Sequence, residues 1–105
     1  MVLCDLLVTL YWGRMTDLDD VLRALADPTR RELLRAVMRQ PGLSTAQLAG
    51  RTAGMTRWGV MKHLAVLRNA GLVQTMAEGR HRRHFPEQAA LRPLRQWLDE
   101  AGAPG

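Results

Sequence analysis

At 105 residues, with 47% hydrophobic residues and a formal net charge of +5, the chain has the length of one domain and the material for a small core. A single cysteine, Cys4, excludes an internal disulfide framework and a cysteine-built zinc cluster within one chain, and fits a reducing compartment. The opening MVLCDLLVTLYWGR is too short to span a bilayer, is interrupted by Asp5 and lacks the positive start of a secretory signal, so the reading is a cytoplasmic protein with no membrane partner.

Taken in chain order, the elements begin with a helix capped by Thr16 or Asp17, with Leu18, Val21, Leu22 and Leu25 on one face. Asp19 and Asp20 sit at its start, where acids suit the helix macrodipole. In DPTRRELLRAVMRQPG, Asp27 is an N-cap and Pro28 occupies the first helical position. Leu33, Leu34, Val37 and Met38 form the inner stripe, and Pro41-Gly42 ends the helix. STAQLAGRTAG opens with a capping box, Ser44 with Gln47, and predicts a helix of about two turns closed by Ala53-Gly54.

The next helix is capped by Thr56 and stopped at Gly71, with Val60, Leu64 and Leu67 facing inward. Gly59 in its first turn predicts close packing against Ala49-Gly50. Two helices joined by a tight small-residue turn are the helix-turn-helix pattern. LVQTM and RRHF then read as two strands around a turn at AEGR, where Gly79 is free to take positive φ. Leu91, Leu94 and Leu98 mark a closing helix, with Pro93 in its first turn and residues 87–90 as an irregular lead-in. The fold class is therefore mainly α with a small β-hairpin, a winged helix-turn-helix. It occupies residues 16–101, after an extension over residues 1–15 and before a flexible tail at 102–105. The extension reads either as an added helix or as sequence preceding the true start.

Charge is segregated along this chain. Between Arg51 and Arg83 there are seven basic residues against one acid, Glu78, while the rest of the chain carries eight basic and nine acidic residues. His63, His81 and His84 lie in or beside the same stretch, and we place all three on the side of a polyanionic partner. The helix over residues 57–69 mixes cations with large apolar groups on its outer face, in Arg57, Trp58, Met61 and Lys62.

The segments ALADPTRRELLRAV, STAQLAGRTAGMTRWGVMKHLAVLRNAGLV and EGRHRRHF resemble the ArsR-type family of small winged-helix transcriptional repressors, over about residues 18–98. The resemblance implies a sequence-specific repressor that acts as a homodimer on double-stranded DNA, paired through its first and last helices. Leu18, Leu22, Leu94, Trp97 and Leu98 are the candidate interface residues. It further implies that Thr56, Arg57, Trp58, Met61, Lys62 and His63 face the major groove. Trp58 and Met61 depart from the small polar residues the family often carries there.

Each of these residue types has a physical fit to a duplex. An arginine at the start of such a helix can bond a guanine edge with both arms, and Lys62 suits a phosphate. Met61 suits thymine methyls or sugar; Trp58 suits the same partners or a place against the preceding helix. Arg68 reads equally as a phosphate contact or a solvated surface residue. On the wing, Arg80, His81, Arg82 and Arg83 suit backbone or minor-groove contact, with alternation sending neighbours to opposite faces.

Many members of the family sense metals through a Cys-x-Cys pair at the start of the helix-turn-helix, or through Asp and His on the closing helix. Here those stretches read LSTAQL and LRPLRQWLDEAG, with no cysteine and no histidine. No metal or other cofactor is expected, and no catalytic constellation is present, so the reading is not an enzyme. Cys4 reads as a free thiol or as a redox sensor across a dimer axis. Two alternatives stand beside the repressor: a winged-helix protein-interaction module, and a metal- or small-molecule-responsive sensor of the same fold. The inducer, operator and regulated genes are not encoded legibly in the chain.

Overall fold

Two arginines from one helix close the end of the helix before it. The computed structural model describes residues 18–102, and helix α1 is helical over residues 18–25 of these. Helix α2, Pro28–Arg39, follows after two residues. The Asp27 carboxylate accepts from the Arg30 backbone N–H at 3.0 Å and caps α2. The guanidiniums of Arg30 and Arg31 turn back and donate to the carbonyls of Ala24 (2.7 Å), Arg23 (3.1 Å) and Leu25 (2.6 Å). These carbonyls lie in the last turn of α1, where helical partners run out, though that of Arg23 also accepts from the Ala26 N–H at 3.2 Å, and cations there suit the negative end of its dipole. The expected cap at Thr16 or Asp17, the 1–15 extension with Cys4, and residues 103–105 lie outside the described residues.

The buried stripe of α1 is turned relative to the expected one. Val21 and Ala24 enter the core, Leu18 and Leu25 are half-buried, and Leu22 is about half exposed. Leu33, Leu34 and Val37 of α2 are buried as expected, with Met38 packed at the edge.

Strand β1, Leu43–Ser44, leads directly into α3, Thr45–Arg51. Both halves of the capping box are formed: the Gln47 N–H donates to Ser44 Oγ at 3.2 Å, and the Ser44 N–H donates to Gln47 Oε1 at 2.9 Å. α3 ends at Thr52, and Gly54, at φ +76°, makes the turn that sends the chain into α4, Arg57–Asn69. Thr56 Oγ1 caps α4 by accepting from the Gly59 N–H at 3.0 Å. A Cβ at Gly59 would meet Met55 Cε at 3.3 Å and Thr56 Oγ1 at 3.4 Å. The close approach is therefore to the turn before α4, and the expected packing on Ala49-Gly50 is corrected.

β2, Val73–Glu78, and β3, His81–Pro86, form the hairpin, with Gly79 at φ +60° at its tip. The sheet has three strands in the order β1-β3-β2, all antiparallel. β1 was not expected: two residues carry no readable alternation, and the strand exists because β3 lies alongside to pair with it. Its register sets Leu43 opposite His84 and Ser44 opposite Arg83. A 3-10 turn at Gln88–Leu91 and helix α5, Arg92–Gly102, complete the chain, with Pro93 in the first turn of α5 as expected. α5 thus includes Gly102, which was expected in the tail.

The core is one cluster: Val21 and Ala24 of α1, the α2 stripe, Leu43, Leu48, the α4 stripe of Val60, Leu64 and Leu67, and Leu72 and Val73 at the start of the hairpin. The architecture is a winged helix-turn-helix, with α3 and α4 as the helix-turn-helix and the β2–β3 hairpin as the wing.

Candidate nucleic-acid interface

The core side of α4 fixes its outer side. Because Val60, Leu64 and Leu67 are fully buried, Trp58 and Lys62 emerge opposite them, and Arg57, Met61 and Arg68 emerge on the flank toward the wing. Trp58 is 67% exposed, so the alternative of a Trp58 tucked against the preceding helix does not hold. Lys62 Nζ sits 4.0 Å from the centroid of its ring, a cation–π contact one helical turn apart. Met61 is about half exposed.

The wing brings further cations to the same flank. A cleft between α3, α4 and the hairpin is lined by Ser44, Thr45, Arg57, Met61, Arg80 and Arg82 among others. Arg80 and Arg82 are exposed. Arg57 is separated from them by more than twenty residues in sequence, so their meeting is a product of the hairpin's return across α3.

His84 holds that hairpin. It is 2% exposed, and its two ring nitrogens lie 2.8 Å from Thr45 Oγ1 and 2.9 Å from Thr75 Oγ1. A neutral imidazole suits both contacts, one nitrogen donating and the other accepting. Burial, with the nearby positive charges of Arg68 and Arg82, pushes its pKa down to about 4. The expectation that His84 lies on the partner-facing surface is corrected: it is a buried bolt between the first residue of α3 and both wing strands. Sequence reading missed it because an isolated His in a basic stretch carries no sign of burial. Period-two alternation sets His84 on the same strand face as Arg82, so the strand pattern carried no sign of burial either.

Two of the expected contact residues are held by the fold itself. The Arg83 guanidinium donates to Glu78 Oε2 and to the Gly42 carbonyl, each at 3.0 Å, and so ties the wing to the loop after α2. Arg68 Nη1 donates to Thr75 Oγ1 at 3.2 Å, linking α4 to the same threonine that meets His84. Thr56 is occupied as the cap of α4. His63 is half-buried on the other flank of α4, near enough to Asp27 to help keep that carboxyl below its usual range, an effect led by the hydrogen bond from the Arg30 N–H. The structure therefore brings Arg57, Met61, Arg80 and Arg82 together around one cleft, leaves Trp58 and Lys62 paired on the outer line of α4, and sets His63 apart. His81 is exposed on the first residue of β3, at the cleft rim.

Away from this face, Leu22 of α1 and Trp97 and Leu98 of α5 are each about half exposed, while Leu94 packs on the core. No residue of α5 is fully buried. Among the described residues, no three His, Cys, Asp or Glu side chains gather as a metal site would require, and no helix is long and apolar enough to cross a membrane.

The profile of a helix-turn-helix domain family matches residues 25–75. The chain is 45% identical over 65 residues to the HTH-type transcriptional regulator CmtR of Mycobacterium tuberculosis, a match covering 59% of this chain and 51% of that protein. It thus spans about half the length of that relative. It is 31% identical over 87 residues to the uncharacterized HTH-type transcriptional regulator YuzN of Bacillus subtilis, covering 77% of this chain and 95% of that one. Its fold superposes on the crystal structure of an ArsR family transcriptional regulator with a TM-score of 0.75 at 32% identity, covering 83% of this chain and 88% of the other. With the helix-turn-helix, the wing and near full-length likeness all in agreement, this chain belongs to the ArsR family of winged helix-turn-helix transcriptional regulators.

Proposed function

We propose that this chain is a sequence-specific DNA-binding repressor, acting as a homodimer on an inverted-repeat operator in the cytoplasm, and that it binds rather than catalyses. One observation carries the reading: Arg57 of α4 shares a cleft with Arg80 and Arg82 of the wing, beside the exposed Lys62 on the outer line of α4, a helix of the size that a major groove admits. Arg57 is the base reader and Lys62, Arg80 and Arg82 are the phosphate contacts. Arg83 and Arg68 support the surface by holding the wing. The exposed apolar positions Leu22 of α1 and Trp97 and Leu98 of α5 are candidates for contact with the second copy, and a chain with so small a core has reason to cover them.

Titration of labelled duplex DNA over a salt series tests the reading. Neutralising about six phosphates makes affinity fall by about three orders of magnitude between low and physiological salt. A shallow salt dependence together with capture of duplex DNA only at high protein concentration points instead to a protein-docking role for Trp58 and Met61, and the repressor reading fails.

A further inference from the structure

Two side chains mark the outermost line of α4. Trp58 and Lys62 are four residues apart, stacked one turn over the other, directly opposite the buried stripe. The Lys62 ammonium lies 4.0 Å from the centroid of the Trp58 ring. The ammonium sits over the indole ring and favours this placement of it, while 67% of the residue stays exposed.

An indole held out from the most protruding line of a basic helix needs a partner that is apolar yet embedded in negative charge. The cleft on the adjacent flank of α4, where Arg57 meets Arg80 and Arg82 of the wing, specifies the charge. In the major groove of a duplex, the apolar group on a base edge is the C5-methyl of thymine. 5-Methylcytosine carries the same group at the same place. An indole offers a polar base edge one N–H donor, but its carbon surface gives such an edge no hydrogen bond in place of the water it displaces, so that surface suits a methyl.

Resting on the DNA-binding reading above, we propose that Trp58, positioned by Lys62, reads a pyrimidine C5-methyl group. The protein then prefers thymine to uracil, and 5-methylcytosine to cytosine, at one position in each half-site. Trp58 makes the methyl contact, and Lys62, besides its phosphate contact, is a positioning residue for the ring.

The test starts from a randomised duplex library. The duplex most enriched by the wild-type protein is resynthesised with deoxyuridine replacing each thymidine in turn, and affinities are read by fluorescence anisotropy. At one thymidine per half-site, loss of the methyl weakens wild-type binding about fourfold, the worth of one buried methyl-sized group. Trp58→Ala binds both duplexes alike. Met61→Ala binds both more weakly but keeps the wild-type ratio. Lys62→Met lowers the ratio and Lys62→Arg, which keeps a cation over the ring, restores it. At the same position, 5-methylcytosine binds about fourfold tighter than cytosine.

Indifference of the wild-type protein to deoxyuridine at every position overturns the proposal, and this arm needs no variant to fold. So does a ratio that survives in Trp58→Ala or vanishes in Met61→Ala. If the library yields no enriched duplex, the DNA-binding reading fails and this inference falls with it; enrichment without methyl dependence removes the inference alone.

Discussion

A neutral imidazole wedged between two threonine hydroxyls suits one protonation state only. His84 has its folded pKa pushed from 6.5 down to about 4, so as pH falls the unfolded chain takes up a proton first. The stability tied to this residue is therefore complete above pH 6.5, declines as pH drops toward 4, and levels off below. The span amounts to on the order of 3 kcal/mol. Carboxylates titrate in the lower part of the same window, so the comparison that isolates His84 is urea unfolding of wild type against His84→Gln across pH 7 to 4. The variant shows the shallower slope; equal slopes remove the buried neutral ring from the account. Also at residue scale, the two arginines that meet across the cleft separate by role. Arg57→Ala costs about 1–3 kcal/mol on the selected operator and relaxes preference at one base pair per half-site. Arg82→Ala weakens operator and scrambled duplex alike and lowers the salt slope by about one unit for each phosphate that is no longer neutralised. Equal losses on both sequences for Arg57→Ala make that arginine a phosphate anchor.

At the scale of elements, α3 is the part most dependent on its cap. A helix of seven residues has few internal hydrogen bonds to lose, and the Ser44–Gln47 box satisfies two donors at the end that faces the cleft. Ser44→Ala lowers stability by about 1 kcal/mol in urea unfolding. Because Thr45, the next residue, meets His84, the same change loosens the wing, and hydrogen exchange of the β3 amides rises with that of α3. A loss confined to α3 shows that the wing is held without it. The wing has other ties. Arg83 reaches both Glu78 and the Gly42 carbonyl, and β1 pairs with β3, so the hairpin is joined to the helices along its inner end and free at its Gly79 tip.

For the whole molecule, the proposed operator geometry depends on two copies. Two recognition helices related by a two-fold axis read sites about one helical turn apart, roughly 34 Å, which is why an inverted repeat is expected. Light scattering at micromolar concentration should give twice the chain mass. Leu22→Glu combined with Leu98→Glu places charges on the half-exposed apolar positions of α1 and α5 and gives the single-chain mass. The same variant binds one half-site, with about half the wild-type salt slope. A monomeric wild type, or a dimer untouched by the double variant, refutes this interface.

Much of this was written in local sequence. Caps act within a turn, so Asp27, Ser44 with Gln47, and Thr56 announced three helix starts from neighbours alone. The α4 stripe and the glycine at the hairpin tip are equally local, since periodicity and positive φ are properties of a few consecutive residues. The charge segregation between Arg51 and Arg83 pointed to the face that α4 and the wing share. What only the tertiary structure decided are contacts between residues far apart in the chain. β1 is a strand because β3 returns beside it, and His84 is buried because Thr45, thirty-nine positions away, closes over its ring. Arg83 looked like Arg82 in sequence and differs from it only through Glu78 and Gly42. His63 and Met61 are both outer-face candidates in sequence, yet the direction in which α4 packs sends them to opposite flanks. Local propensity sets which helices and turns form; the burial of their apolar stripes sets which charged side chains are left to face a partner.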